Sequence, residues 1–167
     1  MELFLKPIGI VVERGERSRI EVFKEYAAGL DHIEKFSHIM ILYWLHKVPS
    51  ELRRTLKLKP RFDYVPLLGV FATRFPARPN PIGVTTVKLA KRKGRILIVQ
   101  GFDAEEGTPI IDLKPYIPIY DNPHGEVVLP EWVRRGLKEH HHAHGDHVHD
   151  AFDTFEKIMK MVKVYTF

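Results

Sequence analysis

Residues 83–102 read GVTTVKLAKRKGRILIVQGF, and this stretch decides the fold class. Two runs rich in β-branched residues, 83–89 and 96–102, lie on either side of Lys93-Gly94, a pair suited to a tight turn. The segment therefore predicts two antiparallel strands joined as a hairpin.

Short apolar or alternating segments recur on both sides of this hairpin, and each predicts a strand. These further strands are expected at residues 6–12, 20–23, 38–45, 55–59, 67–73 and 109–113. Only residues 29–36 suggest a helical turn within this region. Seven or eight short strands without alternating helices favour an antiparallel barrel or sandwich over a doubly wound α/β sheet. No GxGxxG or GxxxxGKS phosphate loop is found.

The pattern changes after Pro130, where Pro130-Glu131 is a suitable helix start. A second helix is expected after Asp150, with apolar residues at helical spacing as far as Val162. We therefore predict a β domain over residues 1–128 and a helical extension over 129–167, with a histidine-rich linker at 140–149.

Composition restricts the class of protein. The 167 residues are 44% apolar and 28% charged, a balance typical of soluble globular proteins. The absence of cysteine excludes disulfides, thiolate metal sites and a cysteine nucleophile. No apolar run approaches a bilayer span, so we expect a cytoplasmic protein without a membrane partner. A net charge of +5 favours polyanionic partners, and the scarcity of Asn, Gln and Cys resembles the composition of hyperthermophile proteins.

The first candidate functional segment is a proline-rich connector at residues 74–83. Three prolines between residues 76 and 81 prevent central-strand pairing and stiffen the backbone that carries Arg74, Arg78 and Asn80. Donors held in this way suit recognition of a carboxylate, a phosphate or a base edge. A barrel-corner loop with solvated arginines explains the same pattern equally well.

The second candidate segment surrounds a turn at Gly107-Thr108-Pro109. Asp103 ends the preceding strand, whereas Asp112 and Lys114 lie two residues apart on the next one and can pair on the same face. A carboxylate at a strand end can accept a ribose hydroxyl or a proton. A turn-stabilising aspartate and a surface ion pair are the more common roles of such residues.

Two histidine features complete the candidates. His38 and His46 lie eight residues apart and share a face if the strand is regular, although such histidines are usually structural. Six histidines fall between His140 and His149, where His140 and His144 have ligand-competent spacing. A linker that binds divalent metal adventitiously is favoured there over a catalytic metal site.

Together these segments resemble the TrmO/TsaA-like family (uncharacterised protein family 0066), from about residue 7 to about residue 121. The motifs that carry the resemblance are GLDHIEKFSHI (29–39), GVFATR (69–74), RPNPIG (78–83) and DAEEGTPIIDLKPY (103–116). Glu13-Arg14-Gly15-Glu16-Arg17 departs from the Pro-Arg-Gln segment of bacterial members.

The resemblance implies a fold, a cofactor and a reaction. The fold is a small antiparallel β-barrel of about seven or eight strands, mainly β and non-Rossmann, with a C-terminal helical appendage. The cofactor is S-adenosyl-L-methionine, bound by a homodimer near its subunit interface. The reaction is methyl transfer to N6 of a modified adenosine at position 37, in the anticodon loop of tRNA.

The resemblance also implies site residues. The cofactor-binding positions are His46, Lys47, Arg74, Val84, Gln100, Gly101, Phe102 and Asp103. Asp103 and Asp112 are candidate proton acceptors, and Tyr116 can hold the base. Arg78, Asn80 and Lys114 are candidate substrate-binding residues. No metal is expected at this site.

Three functions remain open at the level of sequence. The first is a tRNA adenosine N6-methyltransferase, with basic residues on the predicted strand 55–59 and around it in contact with RNA phosphates. Those residues are Arg53, Arg54, Lys57, Lys59 and Arg61, and a solvated edge strand explains them equally well. The second function is a module that binds S-adenosyl-L-methionine without turnover. The third is a metal-handling protein centred on residues 140–149.

Overall fold

The computed structural model describes residues 3–144 and 162–166, including nine strands and two α-helices. The strands are β1 (Gly9–Glu13), β2 (Arg17–Val22), β3 (His38–Trp44), β4 (Thr55–Pro60), β5 (Leu68–Gly69), β6 (Ile82–Lys93), β7 (Ile96–Gln100), β8 (Pro109–Pro115) and β9 (Val162–Thr166). The helices are α1 (Pro118–Asp121) and α2 (Glu131–His144). No helix within these described residues is long and apolar enough to cross a membrane.

Six strands close into an antiparallel barrel in the order β1-β2-β7-β6-β3-β8, with β8 pairing back onto β1. The predicted hairpin is present as β6 and β7, and Gly94 adopts a φ of 60° in its turn, as left-handed turn positions require. The predicted antiparallel barrel is thus confirmed, with fewer strands than the seven or eight expected.

Alternate side chains along the strands point inward and fill the barrel interior. In β3, Ile39, Ile41 and Tyr43 are buried, whereas the residues between them face outward. Ile20 and Leu97 are buried at matching positions of β2 and β7. Closure of the sheet leaves no free edge, and these apolar side chains form one continuous core.

The chain divides into two compact units. The first, residues 1–47 and 80–118, contains the barrel. It also contains two 3₁₀-helices, Lys24–Leu30 and Ile33–Lys35, where the sequence predicted a helical turn at 29–36.

The second unit, residues 48–79 and 119–167, contains a three-stranded sheet in the order β5-β4-β9. Because β4 lies between two partners, the interpretation of residues 55–59 as an edge strand is wrong. The predicted strand at 67–73 shortens to Leu68–Gly69, since residues Val70–Ala72 form a 3₁₀-helix. The Thr73 hydroxyl stabilises that turn by donating to the carbonyl oxygen of Val70 at 2.8 Å.

The C-terminal region fits the predictions in part. Helix α2 begins one residue after Pro130, as expected, and its backbone continues to His144. Residues 145–161, which include the rest of the histidine-rich linker and most of the second predicted helix, lie outside the described residues. Val162 belongs to strand β9 instead of a helix, and the alternating β-branched residues of VKVYT account for that. The domain boundary after residue 128 stays a prediction.

Candidate functional site

Tyr43 marks the end of the barrel where β3 finishes and β6 begins. Its ring is buried, and its hydroxyl lies 3.2 Å from the Thr85 hydroxyl on the neighbouring strand. The ring of Phe102 packs edge-on against it, with the centroids 5.2 Å apart and the planes at 86°. We call this part of the barrel the Tyr43 end, formed by Tyr43, Lys47, Thr85, Phe102 and Asp103.

Gly101 produces the turn that brings Phe102 into the barrel. Gly101 has a φ of 80°, so the chain bends sharply after β7. The bend leaves Gln100 on the sheet and buries the Phe102 side chain to 3% exposure. The buried hydroxyl of Ser18 then fixes the turn by donating to the Phe102 carbonyl oxygen at 2.8 Å.

Asp103 follows directly and is exposed to solvent. Burial raises the pKa of the Tyr43 phenol, the hydrogen bond to Thr85 lowers it, and the charge of Asp103 raises it further. Asp103 lies at the Tyr43 end because it directly follows Phe102, whose ring packs against Tyr43. Asp103 has no ion-pair partner among the residues that the structure describes.

Lys47 adds a cation to the same end of the barrel. His46 and Lys47 follow β3, where the His46 backbone N–H donates to the Trp44 carbonyl oxygen at 2.8 Å. The Lys47 ammonium forms an ion pair with Glu105, just beyond Asp103, and remains exposed. The sequence reasoning missed Glu105 as this partner, although it stands inside the quoted motif DAEEGTP.

Val84 supplies an apolar surface on the barrel exterior. It lies opposite Leu42 in the pairing of β3 with β6, and 47% of its surface is exposed. Its neighbours Gly83 and Thr85 lie opposite Tyr43 and Ile41. Exposed apolar surface therefore borders the polar groups of the Tyr43 end.

Asp112 and Lys114 form the ion pair that their spacing predicted. Their charged atoms are 2.7 Å apart, and the hydrogen bond and charge of Asp112 raise the pKa of the Lys114 ammonium. They lie opposite Leu42 and Met40 across β8 and β3. The structure thus shows a surface ion pair at these two positions.

Tyr116 is separated from the Tyr43 end along the barrel. Its backbone N–H donates to the carbonyl oxygen of His38, which begins β3, at 3.1 Å. Seven residues of strand separate the two ends of β3 by about 20 Å. A cavity of about 540 Å³ lies at this opposite end, lined in part by Tyr26, Phe36 and Asp112. Within one chain, Tyr116 and Asp103 therefore do not meet.

The proline-rich connector belongs mainly to the second unit, where Phe75 and Ala77 are buried. Arg74, before them, is exposed, and Arg78, after them, donates to the Thr73 carbonyl oxygen at 3.2 Å. Residues 74–81 of the connector lie in no helix or strand, as its prolines predicted, and β6 begins at Ile82.

The connector's last residues lead into the barrel. Asn80 is exposed, and its carbonyl oxygen accepts the Ile82 N–H at 2.8 Å where β6 begins.

Comparisons with known proteins agree on one family. The family described as the tRNA-methyltransferase O N-terminal domain matches residues 3–122. A probable S-adenosyl-L-methionine-binding protein of Pyrococcus abyssi is 43% identical over 115 residues, which are 69% of this chain and 60% of that protein. The human tRNA (adenine(37)-N6)-methyltransferase is 41% identical over 107 residues, which are 64% of this chain and 24% of the human protein.

A solved structure supports the same relationship. The crystal structure of TrmO from Pseudomonas aeruginosa superposes with a TM-score of 0.59 at 26% identity, covering 85% of this chain and 75% of that chain. The matched segment spans less than two thirds of the Pyrococcus relative and about a quarter of the human one.

Proposed function

Because this chain belongs to the tRNA-methyltransferase O N-terminal domain family, we propose that it is an S-adenosyl-L-methionine-dependent methyltransferase that acts on N6 of adenosine 37 in tRNA. The observation that carries the proposal is the family match over residues 3–122, which includes all six barrel strands. The human relative is named for this reaction, and the Pyrococcus relative is named for binding this cofactor.

The residues at the Tyr43 end suit the cofactor chemically. Lys47 offers a cation for the methionyl carboxylate, and the family resemblance gives Arg74 as the other candidate. Val84 offers exposed apolar surface. The Phe102 ring is buried against Tyr43, so we assign it the role of holding Gly101 and Asp103 in place.

When bound, S-adenosyl-L-methionine supplies a methyl group that its sulfonium makes electrophilic. The exocyclic amine of adenine is a weak nucleophile, so alignment contributes much of the acceleration. Removal of the amine proton contributes the rest, and a carboxylate within reach can accept it. We assign this role to Asp103, because the other candidate, Asp112, already holds the Lys114 ammonium at 2.7 Å.

The partner proposals are tRNA and a second copy of the chain. An adenine in the anticodon loop can turn outward at less cost than a paired base. Met40, Leu42 and Trp44 alternate outward on β3 beside exposed Val84, which gives a second copy an apolar face to cover. Light scattering that shows only monomers would contradict the dimer.

Incubation with tRNA and isotopically labelled S-adenosyl-L-methionine tests the reaction. We expect the label in N6-methylated adenosine after digestion to nucleosides. Label in another nucleoside would contradict the position, and its absence from all nucleosides would contradict tRNA methylation.

A second candidate function is binding of S-adenosyl-L-methionine without turnover. The name of the Pyrococcus relative, which refers to binding alone, favours it. Calorimetric binding of the cofactor by a protein that deposits no label in tRNA would establish this alternative.

A further inference from the structure

Four cations line a groove on the outside of the barrel, separate from the Tyr43 end. The groove has a volume of about 470 Å³ and crosses strands β2, β7 and β6. Its cations are Arg17, Lys88, Lys91 and Lys93, and its remaining lining consists of Ala90, Ile98 and Gln100. We refer to it as the cationic groove.

Strand register explains why these side chains converge. Gln100 lies opposite Arg17 on one side and opposite Lys88 on the other, so the three residues form a row across the sheet. Lys91 lies opposite Ile98 in the next row, and Lys93 opposite Ile96 in the row beyond. Successive rows on one face are about 6.6 Å apart, which places cations at regular intervals along the groove.

Neighbouring cations of the barrel are neutralised, whereas those of the groove are not. Arg19 pairs with Glu13 at 3.0 Å, and Arg95 pairs with Glu21 at 2.8 Å. Arg92 pairs with both Asp31 and Glu34. For the four groove cations, by contrast, no carboxylate lies within ion-pair distance among residues 3–144 and 162–166.

The four cations lie on β2 and β6, on either side of β7, so their like charges reinforce one another and favour binding of an anion along the groove. One small anion cannot reach cations spread over three rows, whereas a polymer with regularly spaced phosphates can contact them all. The lining includes no carboxylate that would repel such a polymer. The charge and length of the groove are therefore complementary to a nucleic-acid backbone.

The groove also leads to the candidate site. Gln100 lies in the groove, and two residues later Phe102 packs against Tyr43 inside the barrel. A nucleic acid held along the groove can therefore present a neighbouring base to the Tyr43 end.

We propose that the cationic groove formed by Arg17, Lys88, Lys91 and Lys93 binds the phosphate backbone of the RNA substrate. The proposal rests on the proposed tRNA methyltransferase function and adds the surface that holds the RNA. It assigns Gln100 to this groove, where its side chain can contact the RNA, in place of the cofactor site. Recognition is electrostatic and independent of sequence, so selection of the base belongs to the Tyr43 end.

The test compares the double variant Lys88→Gln/Lys91→Gln with the matched control Lys24→Gln/Lys35→Gln. Both variants lose two exposed positive charges from the same unit, and only the first loses them from the groove. The probe is a fluorescein-labelled RNA stem-loop with the sequence of an anticodon arm, titrated at several salt concentrations and followed by anisotropy.

We expect the groove variant to bind the stem-loop about tenfold more weakly than the control at low salt. The slope of log K against log salt should decrease by about 0.7 to 0.9 for each lysine removed. In the labelling assay, KM for tRNA should rise while kcat stays near that of the control. Calorimetry should give the same cofactor affinity for both variants.

Equal affinity and equal salt dependence of the two variants would overturn the groove proposal, even if tRNA becomes labelled. Salt-dependent RNA binding that the groove variant loses, without label in tRNA, would support the groove and contradict methyl transfer. Wild-type protein that does not bind the stem-loop at any salt concentration would overturn the groove proposal outright.

Discussion

The ring of Tyr43 lies directly over Gly83 on the neighbouring strand. A Cβ atom added to Gly83 would lie 2.3 Å from Cζ of the tyrosine and 2.8 Å from its hydroxyl oxygen. The two residues face each other in the register of β3 and β6. The glycine of the RPNPIG motif is therefore required for space, because the buried phenol occupies the position that a side chain would take.

We expect Gly83→Ala to destabilise the barrel by about 1 to 3 kcal/mol, the usual cost of overpacking a core. The free energy of unfolding in urea provides the measurement. Gly29→Ala is the matched control, because a Cβ atom there meets nothing within 4 Å. Adding Tyr43→Leu should recover part of the loss if the clash is its cause. A Gly83→Ala protein as stable as the control would contradict the close contact.

Tyr43 also predicts a dependence of stability on alkaline pH. Burial raises its pKa above the ordinary value of 10.0, so the folded protein holds the phenol proton more tightly than the unfolded chain does. The contribution of the protonated Tyr43 phenol to the free energy of unfolding is therefore fully present below pH 10.0. It is lost as the pH rises through the pKa of this phenol in the folded protein.

Tyr43→Phe should lower stability at neutral pH by about 1 kcal/mol, because the bond to Thr85 is lost. The variant should then lose less stability than the wild type above pH 10.0, since it has no phenol at this position. Thermal unfolding followed at several pH values measures both effects. Parallel losses in the two proteins would contradict the raised pKa.

Lys47 and Glu105 predict opposite effects on cofactor affinity. If Lys47 binds the methionyl carboxylate, Lys47→Gln should weaken calorimetric binding of S-adenosyl-L-methionine by about 10-fold or more. Glu105→Gln should preserve or strengthen binding, because it releases the ammonium from its ion pair.

Lys35→Gln is the control for the loss of one exposed charge. Arg74→Ala tests the alternative cation in the same assay. Unchanged affinity in Lys47→Gln, together with a strong loss in Arg74→Ala, would move the carboxylate contact to Arg74.

Much of the fold could be predicted from local patterns. The continuous apolar run at 39–45 and the Lys93-Gly94 turn predicted β3 and the β6–β7 hairpin, because apolar runs and turn chemistry are local properties. The pairing of Asp112 with Lys114 followed from a spacing of two residues for the same reason.

Properties that depend on distant contacts could not be predicted. Pairing of β4 with β9, more than 100 residues away, made β4 a central strand, and no local pattern encodes that partner. Likewise, Tyr116 and Asp103 stand in one continuous motif, but strand β8 carries them to different ends of the barrel. The cationic groove combines three strands, so the run Lys91-Arg92-Lys93 gave no indication that Arg17 completes it.

Asp103 provides the most direct test of the proposed chemistry. If Asp103 accepts the amine proton and does not contact the cofactor, replacing its carboxylate should greatly reduce turnover and leave cofactor binding almost unchanged. We expect Asp103→Asn to reduce the rate of methyl labelling by about 100-fold or more while calorimetric affinity for S-adenosyl-L-methionine stays unchanged. Asp63→Asn, which removes an exposed carboxylate of the second unit, is the control.

The same variant has a readout that does not depend on activity. Removing the charge of Asp103 should lower the pKa of the Tyr43 phenol. This pKa is measured by ultraviolet titration of Asp103→Asn, with Asp103→Asn/Tyr43→Phe as the reference that lacks the phenol. A lower Tyr43 pKa with unchanged methyl labelling would confirm that the carboxylate lies beside the phenol and would rule it out as the proton acceptor. A loss of cofactor affinity equal to the loss of rate would instead assign Asp103 to the ribose hydroxyls.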